Sequence, residues 1–326
     1  MSKYFYTSDD LIKSIKSRCL VPTNQNTFTE QDFLDFATEE MNMAIVPLVL
    51  QANQDYYLIS EDIPIVQGQT AYDIPYRAIG NKVRDVVIAD YSGSNNNLRE
   101  LFRINIGDLS AYSGSYGDGT VGSSAFYVAN NQIVLVDPQA NAGSVLRFTY
   151  YLRPNSLVPN DQVGVVESVD FNTGIITLSS YPEVFSQTAS LNQPLDFIQQ
   201  KSPHKILSYD VPGFTSTNST LKTITMNPAD IPTTLASGDR VAFATQTDIP
   251  QIPSDMHVLL AHRVATRILE AIGDNEGLQN ANQKLAELQQ NASSLIHNRT
   301  EEAPKKVTNF RGTLRSGLVR NRLRRW

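Results

Sequence analysis

The sequence predicts an α+β protein. We expect a helical bundle built from both terminal segments, a long β-rich insertion of sandwich or barrel-like type in two modules, and an extended basic arm at the C-terminus. Three observations carry this reading. Apolar residues recur at helical spacing only toward the two ends. Short β-type runs, broken by Gly, Pro, Asn and Asp, fill the middle. The basic charge gathers in the last residues of an otherwise acidic chain. The expected divisions are 1–55 (helical), 56–154 (β-rich), 155–250 (second β-rich module), 251–303 (helical again) and 304–326 (arm), the β part being inserted into one helical domain.

Ser8 is placed to cap a short helix over Asp9 to Arg18, whose first turn is acidic and so complements the helix dipole. A better-marked start follows. Thr29 is the expected N-cap with Asp32 at the third helical position, and Phe28 and Phe33 have the spacing of a hydrophobic staple. Apolar residues then recur through Phe33, Ala37, Met41, Ile45 and Val49. Pro47 sits inside that pattern and should kink the helix or start a new one.

From Tyr56 the texture changes to YYLIS, IPIVQ, AYDIP, KVRDVVIADY, SAFYVA, NQIVLVD and SVLRFTYYLRP, each an expected strand. ANNQ between two of them reads as a hairpin turn, and INIGDLSAYSG as a short helix followed by a loop. In the second module, VGVVESVDFNTGIITLSS is a hairpin turning at Asp170 to Gly174. KILSYDV, LKTITM and DRVAFAT are further strands. Helix returns after Pro253 with Ser254 as expected cap, presenting Leu259, Leu260, Val264, Ile268 and Ile272 on one side. Beyond Gly273, the series Leu278, Ala281, Leu285, Leu288, Ala292, Leu295 forms a seam for a neighbouring helix, read as packing within the bundle.

Catalytic signatures are weak. His257 and His262 are five apart, which does not align them on one helix face for a metal, and His204 and His297 have no Cys partner nearby. Gly117, Gly119 and Gly122 match G-x-G-x-x-G formally. A Ser/Gly/Tyr stretch precedes them and a β-type run follows, so the segment reads as a loop and not as a dinucleotide site. The expectation is no enzyme, no catalytic residue, no cofactor and no metal. The single Cys19 rules out a disulfide within the chain, and no run is apolar enough for a membrane span. MSKYFYTSDD lacks the apolar run of a signal peptide, so a soluble protein of a reducing cytoplasm is expected.

Eight basic residues and no acid lie from Lys305 onward, which leaves 19 basic against 33 acidic residues in the rest of the chain. A body of net charge −14 repels phosphate backbones, so a broad nucleic-acid groove is not expected. The terminal stretch RGTLRSGLVRNRLRRW has few apolar residues, so alone it cannot repay its ordering entropy. Leu314, Leu318, Leu323 and Trp326 can anchor it on a partner, while Arg311, Arg315, Arg320, Arg322, Arg324 and Arg325 can fork onto carboxylates.

One ordered set of motifs stands out. A capped acidic helix leads to Ile45-Val46-Pro47-Leu48, then Tyr56-Tyr57, then Gly68-Gln69 with Tyr72, Ile74 and Pro75. Arg77-Ala78-Ile79-Gly80 follows and runs into Val83-Arg84-Asp85. This order resembles the head-to-tail adaptor (connector) proteins of short-tailed phages, whose chains also close with a Gly- and Arg-rich tail near a Trp. The resemblance covers about residues 5–153 and 253–326, and 155–250 falls outside its pattern.

It implies a structural virion protein: a ring, twelvefold in this family, beneath the portal, joining capsid vertex to tail and lining the DNA conduit. The implied partners are the portal protein, neighbouring adaptor subunits, tail nozzle or fibre proteins, and genomic DNA passing without sequence-specific binding, with no membrane. The implied location is the head–tail interface of the virion, and the host cytoplasm during assembly. The basic arm would clamp the portal, and the 155–250 module would face outward or tailward. Two readings from other classes stay open: an Arg-tailed nucleic-acid-binding protein, and a β-module fibre or carbohydrate-binding protein.

Overall fold

The computed structural model describes residues 6–19, 27–90, 97–109, 125–136, 143–187, 190–201 and 203–295. Two compact units divide the chain, Met1–Ile296 and His297–Trp326. Every described residue lies in the first.

Helix α1 is Ser8–Cys19. Thr7, not Ser8, caps it: the Thr7 carbonyl accepts from Leu11 N–H, and Thr7 Oγ1 and N–H donate to the Asp10 carboxylate at 3.2 and 3.4 Å. Ser8 is instead buried in the first turn, where its Oγ donates to Asn160 Oδ1 at 2.7 Å. Helix α2, Glu30–Glu40, carries the expected capping box, with Asp32 N–H on Thr29 Oγ1 and Thr29 N–H on Asp32 Oδ2. Those bonds hold the Asp32 carboxyl below its ordinary pKa. The Phe28 and Phe33 rings lie 6.0 Å apart, which completes the staple.

Pro47 acts as expected, through a specific device. Met41–Ile45 widens into a π turn, in which Val46 N–H reaches back to Met41 O, and α3 (Val46–Ala52) starts with Pro47 in its first turn. Proline has no N–H to give and its ring crowds the preceding turn, so one extra residue in the loop of the helix absorbs the mismatch.

At the far end, a 3₁₀ turn over Ser254–Met256 precedes α4 (His257–Ile272), so Ser254 lies inside a turn and caps nothing with its side chain. Gly273 closes α4 in the left-handed region (φ +80), which lets Gly273 N–H and Asp274 N–H satisfy the Leu269 carbonyl. Helix α5, Asn275–Leu295, follows. Leu11, Phe33, Met41, Leu260, Val264 and Ile268 share one core, to which both ends of the chain contribute. The α5 seam meets this core with Leu285, Leu288 and Ala292, and Ala281 is buried too, whereas Ile272 and Leu295 stay exposed.

The first eight strands are β1 (Leu58–Pro64), β2 (Ala71–Asp73), β3 (Ala78–Asp90), β4 (Asn97–Glu100), β5 (Phe102–Arg103), β6 (Ala125–Ala129), β7 (Gln132–Leu135) and β8 (Val145–Leu152). They form two four-stranded sheets, ordered β1-β8-β3-β4 and β2-β7-β6-β5. Ile88, Phe148 and Tyr150 of one sheet and Tyr72, Phe126 and Ile133 of the other bury a common core. Strand β8 shows why: its alternate residues Leu146, Phe148, Tyr150 and Leu152 are all buried. Asn130 and Asn131 both take left-handed backbone (φ 50 and 61), the two-residue turn whose twist suits a hairpin. Tyr56 and Tyr57, expected in a strand, lie in a 3₁₀ turn (Gln54–Tyr57), and the short helix expected in INIGDLSAYSG is the 3₁₀ turn Ile106–Asp108.

The remaining strands are β9 (Ser156–Leu157), β10 (Gly164–Asp170), β11 (Ile175–Ser180), β12 (Leu195–Ile198), β13 (Ile206–Val211), β14 (Ser216–Asn218), β15 (Thr223–Thr225), β16 (Arg240–Phe243) and β17 (Gln246–Thr247). Strands β9 and β17 pair in parallel. The others make an antiparallel sheet ordered β13-β12-β16-β10-β11-β15-β14 over a core that includes Phe185, Phe197 and Phe214. At the β10–β11 turn, Asp170 accepts from Asn172 N–H and Thr173 Oγ1. Gly174 closes the turn at φ +74, where a Cβ would collide with the Met226 carbonyl oxygen. The fold is thus mixed α+β, and no sheet among the described residues closes into the barrel that was one expectation.

Candidate functional site

The densest polar arrangement in the described residues centres on Arg77. Pro75 and Ala78 close a turn between β2 and β3 (Ala78 N–H to Pro75 O, 2.9 Å), and Arg77 points inward from it, 3% exposed. Its Nη1 and Nη2 donate to the two oxygens of Asp196 at 2.9 and 2.8 Å. Nη2 and Nε also reach Asp210 at 2.7 and 3.1 Å, and Nη1 reaches Asn155 Oδ1 at 3.0 Å. This is the planar fork for which arginine, and not lysine, is suited.

Asp196, in the middle of β12, is fully buried and collects further donors from Asn155 Nδ2, Asp210 N–H and Thr245 N–H. Asp210 and Thr245 hold left-handed backbone (φ 51 and 69), uncommon for such residues, and each aims its N–H at that carboxylate. Burial works against the Arg77 charge, but the hydrogen bonds to Asp196 and Asp210 outweigh it and its pKa lies above the ordinary value.

A second polar group sits beside the first. The Tyr209 ring lies 5.4 Å from the Arg77 guanidinium carbon. The Tyr209 and Tyr150 hydroxyls are 2.7 Å apart, and both lie within hydrogen-bonding distance of Glu61 Oε2. Burial, first of all, pushes both phenols above their ordinary pKa. Strands β1 and β8 are thereby tied to β13. The chemistry is that of a joint: five donors converge on the Asp196 carboxylate. A separate buried pair, Arg240–Asp248 at 3.0 Å, fastens β16 to the segment whose carbonyl at Asp248 receives Ser8 N–H.

The motif residues fall into distinct settings. Pro47 is exposed on α3. Gly68 (φ +86) and Gly80 (φ +63) occupy left-handed positions. Tyr72 is buried, with its hydroxyl accepting from Val66 N–H and donating to Gln69 O. Arg84 and Asp85 lie on the rim of a cavity of about 560 Å³ between the two four-stranded sheets, where Phe102 is also exposed. Arg84 pairs with Asp55 at 3.1 Å. The arm residues Arg311, Leu314, Arg315, Leu318, Arg320, Arg322, Leu323, Arg324, Arg325 and Trp326 lie outside the described residues, as do Gly117, Gly119, Gly122 and His297.

His204 and His257 are buried, and no group of His, Cys, Asp or Glu among the described residues could hold a metal ion. His257 stacks on Tyr6 with ring centroids 4.8 Å apart, and burial pushes its pKa down to about 4. The sequence reading missed Asp196, Asp210 and Asn155. One signal was present: an acid inside the apolar run LDFI implies a buried cation to meet it.

Buried ions thus lock strand to strand, and exposed apolar and charged side chains are left at the grooves. A family model described as SU10 adaptor protein matches residues 6–202. The chain therefore belongs to the SU10 adaptor family, the phage structural adaptors of the virion head–tail junction. No curated protein matches the chain. The match runs past residue 153 into β9 to β12, so Asp196 falls within it, and it leaves out α4 and α5. The resemblance drawn from the motifs placed the family boundary differently on both counts.

Proposed function

We propose that this adaptor forms a homo-oligomeric, twelvefold ring beneath the portal, joins the capsid vertex to the tail nozzle or fibre proteins, and lines the conduit for passing DNA. The match to the adaptor family over residues 6–202 is the observation that carries this reading. The charge distribution supports it. A conduit wall of net negative charge lets a duplex slide without sticking, and a local basic arm is free to grip a protein partner. The role needs no catalytic group, and no described helix is long and apolar enough to cross a membrane.

Within this reading the helical parts 1–55 and 251–303 and the β-rich part 56–154 share the subunit contacts. The 155–250 module faces outward or toward the tail, and the 304–326 arm orders on the portal. The joint between Arg77 and the acids of β12 and β13 fits this task, because an adaptor under internal genome pressure needs its parts held at a fixed angle. Negative-stain imaging of the protein mixed with portal tests the proposal. Rings seated on the portal are the expected result. Particles that bind DNA with a steep salt dependence and ignore the portal would support a nucleic-acid-binding protein instead.

A further inference from the structure

The lead-in to α1 is fastened across the start of α4. Tyr6, half-buried, lays its ring on that of His257, with centroids 4.8 Å apart and planes 23° apart. Two residues on, Ser8 N–H donates to the Asp248 carbonyl at 2.7 Å. Asn160, in the 3₁₀ turn after β9, ties down the same stretch. It accepts from Ser8 Oγ at 2.7 Å, and its Nδ2 reaches Thr7 Oγ1 at 3.3 Å and Asp9 Oδ2 at 2.8 Å. Residues 6–9 therefore act as a strap.

His257 lies under the strap as the first residue of α4, 6% exposed. Its Nε2 is buried and has no hydrogen-bond partner. On a neutral ring that atom is an unpaired acceptor. On a charged ring it is a buried N–H with nothing to receive it, which is far less favourable. The positive end of the α4 dipole opposes the charge as well. The carbonyls of Pro250 and Ile252 favour the charged ring, but burial first and the neighbouring His204 second outweigh them. The other titratable groups around the strap are Asp10 and Arg18 of α1, which act on the Tyr6 phenol, and Asp248, which is paired with Arg240 and feels Asp9. None of them is an acceptor for His257 Nε2.

We propose that residues 6–9 are an acid-released strap: His257 takes up a proton only when Tyr6 leaves its ring, so the strap detaches from the start of α4 in mild acid while the cores stay folded. Tyr6 is the covering ring nearest the chain end, so its departure is the smallest movement that brings water to the imidazole. The open strap binds a proton that the closed one refuses, so opening grows as the pH falls. The device goes beyond the ring proposed above and does not require it.

The test is amide hydrogen exchange of the full-length protein by NMR, from pH 7.5 to pH 5.0, corrected for the intrinsic effect of pH. The Ser8 amide reports the strap, and those of Phe148 and Val264 report the cores. Ser8 should be less protected than either core amide at every pH, which marks a local opening. Its protection should fall about 30-fold across the range, the factor set by a ring that titrates near 6.5 when free and at about 4 when covered. In His257→Phe, which keeps a ring for Tyr6 and has no proton to take up, that fall should vanish. Tyr6→Ala removes the cover, so Ser8 should be less protected already at pH 7.5 and its fall with pH should shrink. Ser8 protection that equals that of the cores, or that does not change with pH, overturns the proposal. So does an undiminished fall in His257→Phe, which would assign the effect to Asp248 or its neighbours, or an undiminished fall in Tyr6→Ala.

Discussion

Arg77 and Asp196 stand 119 residues apart in the chain and form a two-pronged ion pair with both partners buried. Removing one partner leaves the other charged and dry, which costs about 3–5 kcal/mol. Arg77→Ala and Asp196→Ala should therefore each lower the unfolding free energy by that order, measured by urea denaturation. Asp210→Asn should cost clearly less, because that side chain is 27% exposed and water can replace the lost charge. A Arg77→Ala protein as stable as Asp210→Asn would show that the joint carries no such energy.

The histidines give the stability a pH slope. His257 has an ordinary pKa of 6.5 and a folded one of about 4, so below 6.5 the unfolded chain takes up a proton that the folded chain refuses. Its contribution is complete above pH 6.5, is lost as the pH falls through that window, and changes no further below about 4. His204, shifted down by the same cause, adds to the slope. Denaturation curves from pH 7.5 down to 4.5 should show His257→Phe, which keeps a ring against Tyr6, less acid-sensitive than the parent; equal slopes would count against it.

At the β10–β11 turn, Gly174→Ala should destabilise by about 2 kcal/mol or more, since both the left-handed backbone and the Met226 carbonyl oppose a side chain. Asn172→Ala, two turn positions away and exposed, serves as the control and should change the melting temperature little.

Loss of the arm should abolish portal attachment. Truncation after Ala303 removes all six terminal arginines and Trp326 while leaving every described residue in place. Biolayer interferometry on immobilised portal should read at least a tenfold loss of affinity with the melting temperature unchanged. Retained affinity would transfer the docking role to the body.

Local chemistry was legible in the sequence and distant pairing was not. Thr29 with Asp32, Asn130 with Asn131, and Pro47 each act within a few residues, so their effect can be read from spacing alone. The cap at Thr7 was misread as Ser8 because both residue types cap helices and only the burial of Ser8 against Asn160 separates them. Strand β12 escaped notice because all four of its residues are buried, which removes the alternation that marks a strand. Arg77 drew attention only as part of a motif. Its partners lie in β12 and β13, and no spacing rule links them.

The Arg77 joint also constrains how such a gene can change. Excision of 156–249 would take away both Asp196 and Asp210 and leave the Arg77 guanidinium without its acids. A different sequence folded over Arg77 in this region would keep the joint only if it brought matching acids. The segment is therefore coupled energetically to a residue far upstream of it, however much it looks like a detachable cassette.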